Sequence, residues 1–296
     1  MSRHLASLRV LVAGCGYLGS ALASELAADG HAVFGLRRNP AGLPPGVTAV
    51  AADLGDLATL RSLPRGLDVV VYAAAADGFS DAAYRASYVD GPRHLIAALA
   101  AAGERPRRLL FTSSTAVYGQ SDGVWVDETS ATDPPGFSGA RLLEGEAVVA
   151  GGPFPSVVVR LGGIYGPGRT RLVESVRSGA ARLRRGPPRY TNRIHRDDGA
   201  GALRHLIGLA SPEACYLAVD SEPADERDVL RFLARALGVP EPPEADPAEG
   251  PGARPGERPR GSKRCSNRRL LASGYALRFP TFREGYAALV GREDGA

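Results

Sequence analysis

The chain has 296 residues, a formal charge of +4, 44% apolar and 23% charged residues, the balance of a globular protein of one large or two moderate domains. Three scattered cysteines (Cys15, Cys215, Cys265) exclude a disulfide framework and a CxxC metal pair, so a reducing cytoplasmic setting and no bound metal are expected. Apolar runs such as 69–76 are too short to cross a bilayer, residues 1–13 do not read as a basic-then-apolar leader so none is expected, and the basic residues lack interleaved aromatics for stacking nucleic acid.

Residues 9–13 form an apolar run that predicts a strand, and Leu18, Ala21, Leu22 and Leu26 then recur at helical spacing until Gly30. Further strands are predicted over 32–36, 47–51, 68–74, 108–113 and 156–161, and helices over 84–102, 142–150 and 229–237. Strands separated by helical patterns of this length imply an α/β fold, a doubly wound parallel sheet with right-handed crossovers. A Rossmann dinucleotide-binding core is expected over 1–160, with 193–220 returning to it. Residues 161–192 and 221–296 form a smaller substrate-binding cap, and the Pro/Gly-rich loop 238–262 within it reads as mobile. The expected ligand cleft lies where core and cap meet.

Between the first strand and the first helix stands Gly14-Cys15-Gly16-Tyr17-Leu18-Gly19, a G-x-G-x-x-G turn. Its first glycine permits the turn, its second lets backbone approach a pyrophosphate, and its third packs helix against strand. The helix N-terminus beyond it offers N–H groups and partial positive charge to the phosphates. The end of the second strand discriminates between the nicotinamide cofactors. A carboxylate there would bind a ribose 2′-hydroxyl, whereas this chain has Leu36-Arg37-Arg38-Asn39, and arginine forks suit a 2′-phosphate. NADP is therefore expected in preference to NAD.

These motifs together resemble the extended short-chain dehydrogenases/reductases, the group of the sugar-nucleotide epimerases and dehydratases. "AADLGD" (51–56) is similar to the third-strand end, where Asp53 and Leu54 would flank adenine. "VVVYAAAADG" (69–78) is similar to the fourth strand, whose small residues, Ala73 and Ala74, would lie along the cofactor. "FTSSTAVYG" (111–119) places Ser114 as the catalytic serine, with Tyr118 as a packing residue. "VVVRLGGIYGPGR" (157–169) and "NRIHRDDGAGA" (192–202) place Tyr165, Asn192 and Arg193 on the substrate side. The five arginines of "ARLRRGPPRYTNR" (181–193) suit an anionic substrate, and seven more basic residues follow over 254–269.

The resemblance breaks at its chemical centre. The Y-x-x-x-K of the group aligns with Phe137-Ser138-Gly139-Ala140-Arg141, and its helix asparagine falls at Tyr88. Of the usual Asn, Ser, Tyr and Lys only the serine remains, the pattern of an atypical, YeeZ-like subgroup. Losing a phenolic general acid costs roughly 10²–10⁴-fold in rate. The chain has one lysine, Lys263, against 35 arginines, so Arg141 is the residue expected to orient a nicotinamide ribose. Tyr88 is the first candidate for the missing proton, with Asp77 and His195 behind it. The resemblance implies an NADP-binding reductase, or an epimerase or dehydratase, acting on a small anionic carbonyl or hydroxyl compound, with homodimerisation through paired core helices. Two alternatives stand beside it: a catalytically silent NADP-dependent sensor, and a non-redox isomerase or lyase on the same scaffold.

Overall fold

The computed structural model describes residues 7–245 and 261–293. Most of the Pro/Gly-rich stretch 238–262, with Arg254, Arg258 and Arg260, lies outside the described residues. The chain divides into two compact units, one of residues 1–118, 131–160 and 199–216, the other of 119–130, 161–198 and 217–296.

The first unit is built on β1 (Arg9–Ala13), β2 (Ala32–Arg37), β3 (Val47–Ala51), β4 (Val69–Tyr72) and β5 (Arg108–Ser114). With Ser156–Leu161 and Cys215–Ala218 these strands make a seven-stranded sheet, in the order Cys215–Ala218, Ser156–Leu161, β5, β4, β1, β2, β3. β1 pairs in parallel with β2 and β4, β2 with β3, and β4 with β5. All four β4 residues are buried, which explains why the central strands read as unbroken apolar runs and not as alternation. This is the doubly wound α/β architecture. Its strand order reverses between β1 and β4, and the carboxyl ends of strands at such a switch point are where ligands bind. β4 ends at Tyr72 where the sequence suggested 74, yet the Ala73 amide still donates to Ala13 O at 2.7 Å.

Helix α1 (Tyr17–Ala28) buries Leu18, Leu22 and Leu26 as their spacing foretold, with Ala23 buried beside them and Ala21 only half-buried. The single helix expected over 84–102 is instead three consecutive pieces: α2 (Asp81–Arg85), a π-helical turn (Ala86–Asp90) and α3 (Gly91–Ala101). The Tyr72 hydroxyl donates to Ser87 O, and the Gly91 amide is left to reach back to Ala86 O in an i→i+5 bond. A group inserted into the helical ladder widens it in this way, and such turns recur at functional sites. Helix α4 (Phe137–Ala150) begins five residues before the predicted 142, because its first turn carries no regular apolar spacing. Under it, Arg160 holds Glu146 through two bonds of 3.0 and 2.7 Å and the Tyr118 hydroxyl at 2.8 Å, while Ser113 Oγ donates to Glu146 at 2.6 Å. This buried network ties α4 to the end of β5 and gives Tyr118 a structural role.

The second unit has its own core, in which Val229, Leu233, Phe282 and Tyr286 come from the helices Glu226–Leu237 and Phe282–Glu293. Its strands are two or three residues long: Arg193–His195 beside Gly163–Tyr165, Arg264–Cys265 beside Trp125–Val126, and Tyr190–Thr191 antiparallel to Ala224–Asp225. The buried Asp198 carboxylate accepts from the amides of Arg278 (2.7 Å) and Phe279 (2.9 Å) and from the Tyr275 hydroxyl (2.9 Å), fixing the chain before the last helix. Among the described residues no helix is long and apolar enough to cross a membrane.

Candidate functional site

The glycine turn sits at the switch point of the first unit. Gly14 has φ +93°, and a Cβ on it would lie 2.3 Å from the Ala74 amide nitrogen. A Cβ on Gly19 would lie 2.4 Å from Gly14 O, so both positions exclude any side chain. The Gly14 and Cys15 amides both donate to Leu36 O at 3.0 Å, anchoring the turn to β2. The Cys15 thiol is buried, which raises its pKa and makes it a packing group.

Gly16 differs from its neighbours. A Cβ there would meet nothing within 4 Å, so no packing against the rest of the fold excludes a side chain here. Gly16 is also the N-cap of α1, which has no side-chain capping hydrogen bond and no acid in its first turn. Amide donors at an open helix N-terminus fit the negative charge of a pyrophosphate. The cradle of Gly14, Gly16, Tyr17, Leu18 and Gly19, walled by Ala73 and Ala74, therefore fits a dinucleotide. Asp53 accepts from the Gly55 amide at 2.8 Å, and Leu54 O lies 2.9 Å from His94 Nδ1, so both expected adenine-flanking residues are held in a firm turn after β3.

The two arginines at the end of β2, Arg37 within the strand and Arg38 just beyond it, are placed differently from each other. Arg37 is half-buried and makes no side-chain hydrogen bond or ion pair among the described residues. Arg38 is clasped by Asp77 through two bonds of 2.8 and 2.6 Å, and this contact holds the Asp77 carboxyl below the usual carboxylate range. Asp77 is thus an ion-pair partner and a poor proton donor at neutral pH.

Ser114 ends β5, and its Oγ accepts from the Ala116 amide at 3.2 Å. Because that bond uses an oxygen lone pair, the hydroxyl proton stays available to donate. Phe137 belongs to an aromatic cluster with Phe79 (5.0 Å between ring centres) and Tyr84 (5.5 Å, edge to face). Tyr88, in the π-helical turn, lies 5.2 Å from Tyr84. The resemblance singled out Tyr88 and passed over Tyr84, although the i,i+4 relation of the two on a helix was a readable signal. Tyr84 is half-buried, and burial raises its pKa, so it is a protonated phenol at neutral pH.

Arg141 is not free. Its Nε and one terminal nitrogen bind Asp81 at 2.8 and 3.0 Å, and the other binds Glu144 at 2.5 Å. These bonds, that to Asp81 foremost, raise its pKa further, and its donor fork is occupied on both sides.

The three expected substrate-side residues belong to the second unit. Asn192 has both ends of its carboxamide engaged: Nδ2 donates to Lys263 O at 2.9 Å and Oδ1 accepts from the Cys265 amide at 2.7 Å. It is a backbone clip between two segments. Arg193 is buried, donates to Thr191 Oγ1 and lies over the Phe282 ring at 5.5 Å. Tyr165 is buried between Tyr286, stacked at 4.4 Å, and His195, edge-on at 5.4 Å. Three buried atoms here have no hydrogen-bond partner, namely Tyr165 Oη, Arg193 NH1 and Asp220 Oδ2. Asp220, absent from every sequence argument, is pushed up to about 7 by burial, with Arg193 opposing the rise. Desolvation raises the Tyr165 phenol as well. Lys263, the single lysine, is buried in the same unit and its pKa is lowered by desolvation.

The family model of the NAD dependent epimerase/dehydratase family matches residues 10–196. A 3-diazoavenalumate denitrifying reductase from a Streptomyces species is 31% identical over 266 residues, 81% of this chain and 85% of the relative. Protein YeeZ of Escherichia coli (strain K12) is 31% identical over 252 residues, 80% of this chain and 86% of its own. The solved structure of a candidate NAD-dependent epimerase/dehydratase from Methylobacillus flagellatus superposes with a TM-score of 0.78 at 39% identity, covering 97% of this chain and 99% of that one. The cradle at the switch point and a match running through most of the first 200 residues agree, and the chain belongs to the NAD dependent epimerase/dehydratase family.

Proposed function

We propose that this chain is an NADP-dependent reductase acting on a small anionic carbonyl compound, or on the corresponding alcohol in reverse. The observation that carries the reading is the glycine turn: its first and third positions are forced by packing, while its second is left open at a bare helix N-terminus. Gly14, Gly16, Tyr17, Leu18 and Gly19 hold the pyrophosphate, Ala73 and Ala74 leave room along it, and Asp53 and Leu54 flank the adenine. Arg37 and Arg38 face the ribose 2′-phosphate. The Streptomyces relative, a reductase by name, supports reduction over epimerisation.

When bound, the reduced nicotinamide supplies a hydride to the substrate carbon. The Ser114 hydroxyl then donates to the oxygen on which charge develops, as its free proton allows. The proton that completes the alcohol comes from a phenol of the Tyr84–Tyr88 pair or from water, since Phe137 has none to give. Arg141, bound by Asp81 and Glu144, reaches the ribose only through a donor released from one of these carboxylates. Arg193 and Tyr165 shape the second unit's buried polar cluster, and Asn192 holds its backbone.

Replacing Arg37 and Arg38 together by alanine is expected to weaken NADPH binding roughly tenfold or more, with NADH little changed, because bonds to a charged phosphate are lost. Ser114→Ala is expected to lower turnover about 10²-fold, the usual cost of one oxyanion donor, with NADPH affinity unchanged. The test of function is hydride exchange: stereospecific loss of deuterium from labelled NADPH with a panel of carbonyl acids. A second reading, a silent nucleotide sensor, is favoured by Phe137 and by the occupied fork of Arg141. Nucleotide binding without deuterium loss on any substrate would establish that reading instead.

A further inference from the structure

The sheet order places β1 between β4 and β2, all parallel. Ala13, the last residue of β1, is in register with Leu36 on one side and Tyr72 on the other. Arg38 lies two residues beyond Leu36 and Asp77 five beyond Tyr72, so their doubly bonded ion pair joins the loops that follow β2 and β4. It therefore crosses the carboxyl end of β1, from which the Gly14–Gly19 turn emerges. Arg38 and Asp77 are both exposed, with side-chain accessibilities of 61% and 67%, so the pair is free to exchange partners.

We propose that Asp77 is a specificity-determining residue, a carboxylate that occupies the Arg38 fork in place of a nucleotide 2′-phosphate. This rests on the cofactor reading above and adds a competitor to it. A carboxylate offers two oxygens to a guanidinium in the geometry a phosphate also presents. A dianionic 2′-phosphate arriving at Arg38 breaks both bonds to Asp77, which then returns to water. A nucleotide with a bare 2′-hydroxyl has no group able to displace it. Asp77 thus lowers affinity for the phosphorylated cofactor without being a ligand of either, and affinity for the other is insensitive to it.

The experiment is a calorimetric titration with NADPH and with NADH of four full-length proteins: wild type, Asp77→Ala, Arg38→Ala and the double variant. Exposed ion pairs are weak, so Asp77→Ala is expected to tighten NADPH binding about three- to fivefold, leave NADH unchanged, and lose the gain entirely in the Arg38→Ala background. No gain, an equal gain for both nucleotides, or a gain that persists without Arg38 would overturn the competitor role while leaving the cofactor reading intact. Wild-type protein that binds neither nucleotide would overturn the cofactor reading, and this inference with it.

Discussion

Gly14→Ala is expected to destabilise the protein by about 3 kcal/mol or more and to abolish dinucleotide binding. Two independent penalties combine. Alanine is strained at φ +93°, and its methyl group would stand 2.3 Å from the Ala74 amide nitrogen and 2.4 Å from Ala74 Cα, both backbone atoms that cannot rotate away. Relief requires β1 and the loop after β4 to part, which disturbs the Ala73–Ala13 bond at the heart of the switch point. Gly16→Ala separates binding from folding. That position has a negative φ of −95° and open space, so the melting temperature should stay within a degree or two while nucleotide affinity falls tenfold or more. Thermal melts and titrations of the two variants check the pair. A Gly16→Ala protein that binds normally would show that nothing approaches the turn there.

The second large effect concerns Asp220. In the unfolded chain its carboxyl titrates near 3.8, and burial in the folded chain raises it to about 7. The folded state therefore keeps a proton that the unfolded state has lost. By linkage, stability due to this group is full below pH 4, falls as pH rises from 4 to 7, and is level above. The size is about 4 kcal/mol at most. The groups around it act in both directions: Arg193 and the Glu222 amide favour the carboxylate, and the charges of Glu222 and Asp198 oppose it. Asp77, Asp81, Asp127 and Glu284, whose pKa values are lowered by hydrogen bonds, give the opposite slope at lower pH. The difference between wild type and Asp220→Asn isolates the term. Denaturant unfolding from pH 4 to 8 is expected to show Asp220→Asn gaining stability over wild type as pH rises. Parallel curves would mean that the carboxyl titrates normally.

The glycine turn and the strands around it were legible because their demands are local and steric. A turn that needs positive φ and close backbone approach is written as Gly14 and Gly19, and β1, β2 and β3 read within a residue of their observed bounds as short apolar runs. The π-helical turn was not legible, since its cause is the hydroxyl of Tyr72, fourteen residues before the turn begins. The short strands of the second unit fell below any periodicity, and so did the helix Phe282–Glu293, whose spacing went unused. Charge partners were the chief loss. Arg38 and Arg141 were read as free forks, yet Asp77 and Asp81 lie 39 and 60 residues away along the chain and meet them only after folding. Asn192, read as a ligand for an anion, spends its amide on backbone more than 70 residues distant. The same limit hid Asp220, whose altered titration comes from burial and not from any motif.

The central claim is that the Gly14–Gly19 turn holds an NADP dinucleotide. Parallel calorimetric titrations of the wild-type protein with NADPH and NADH test it most directly. The account predicts saturable binding at one site per chain, tighter for NADPH. No heat with either nucleotide, or equal affinity for both, would contradict it: the first would reduce the turn to a structural feature, and the second would leave Arg37 and Arg38 without a phosphate to bind.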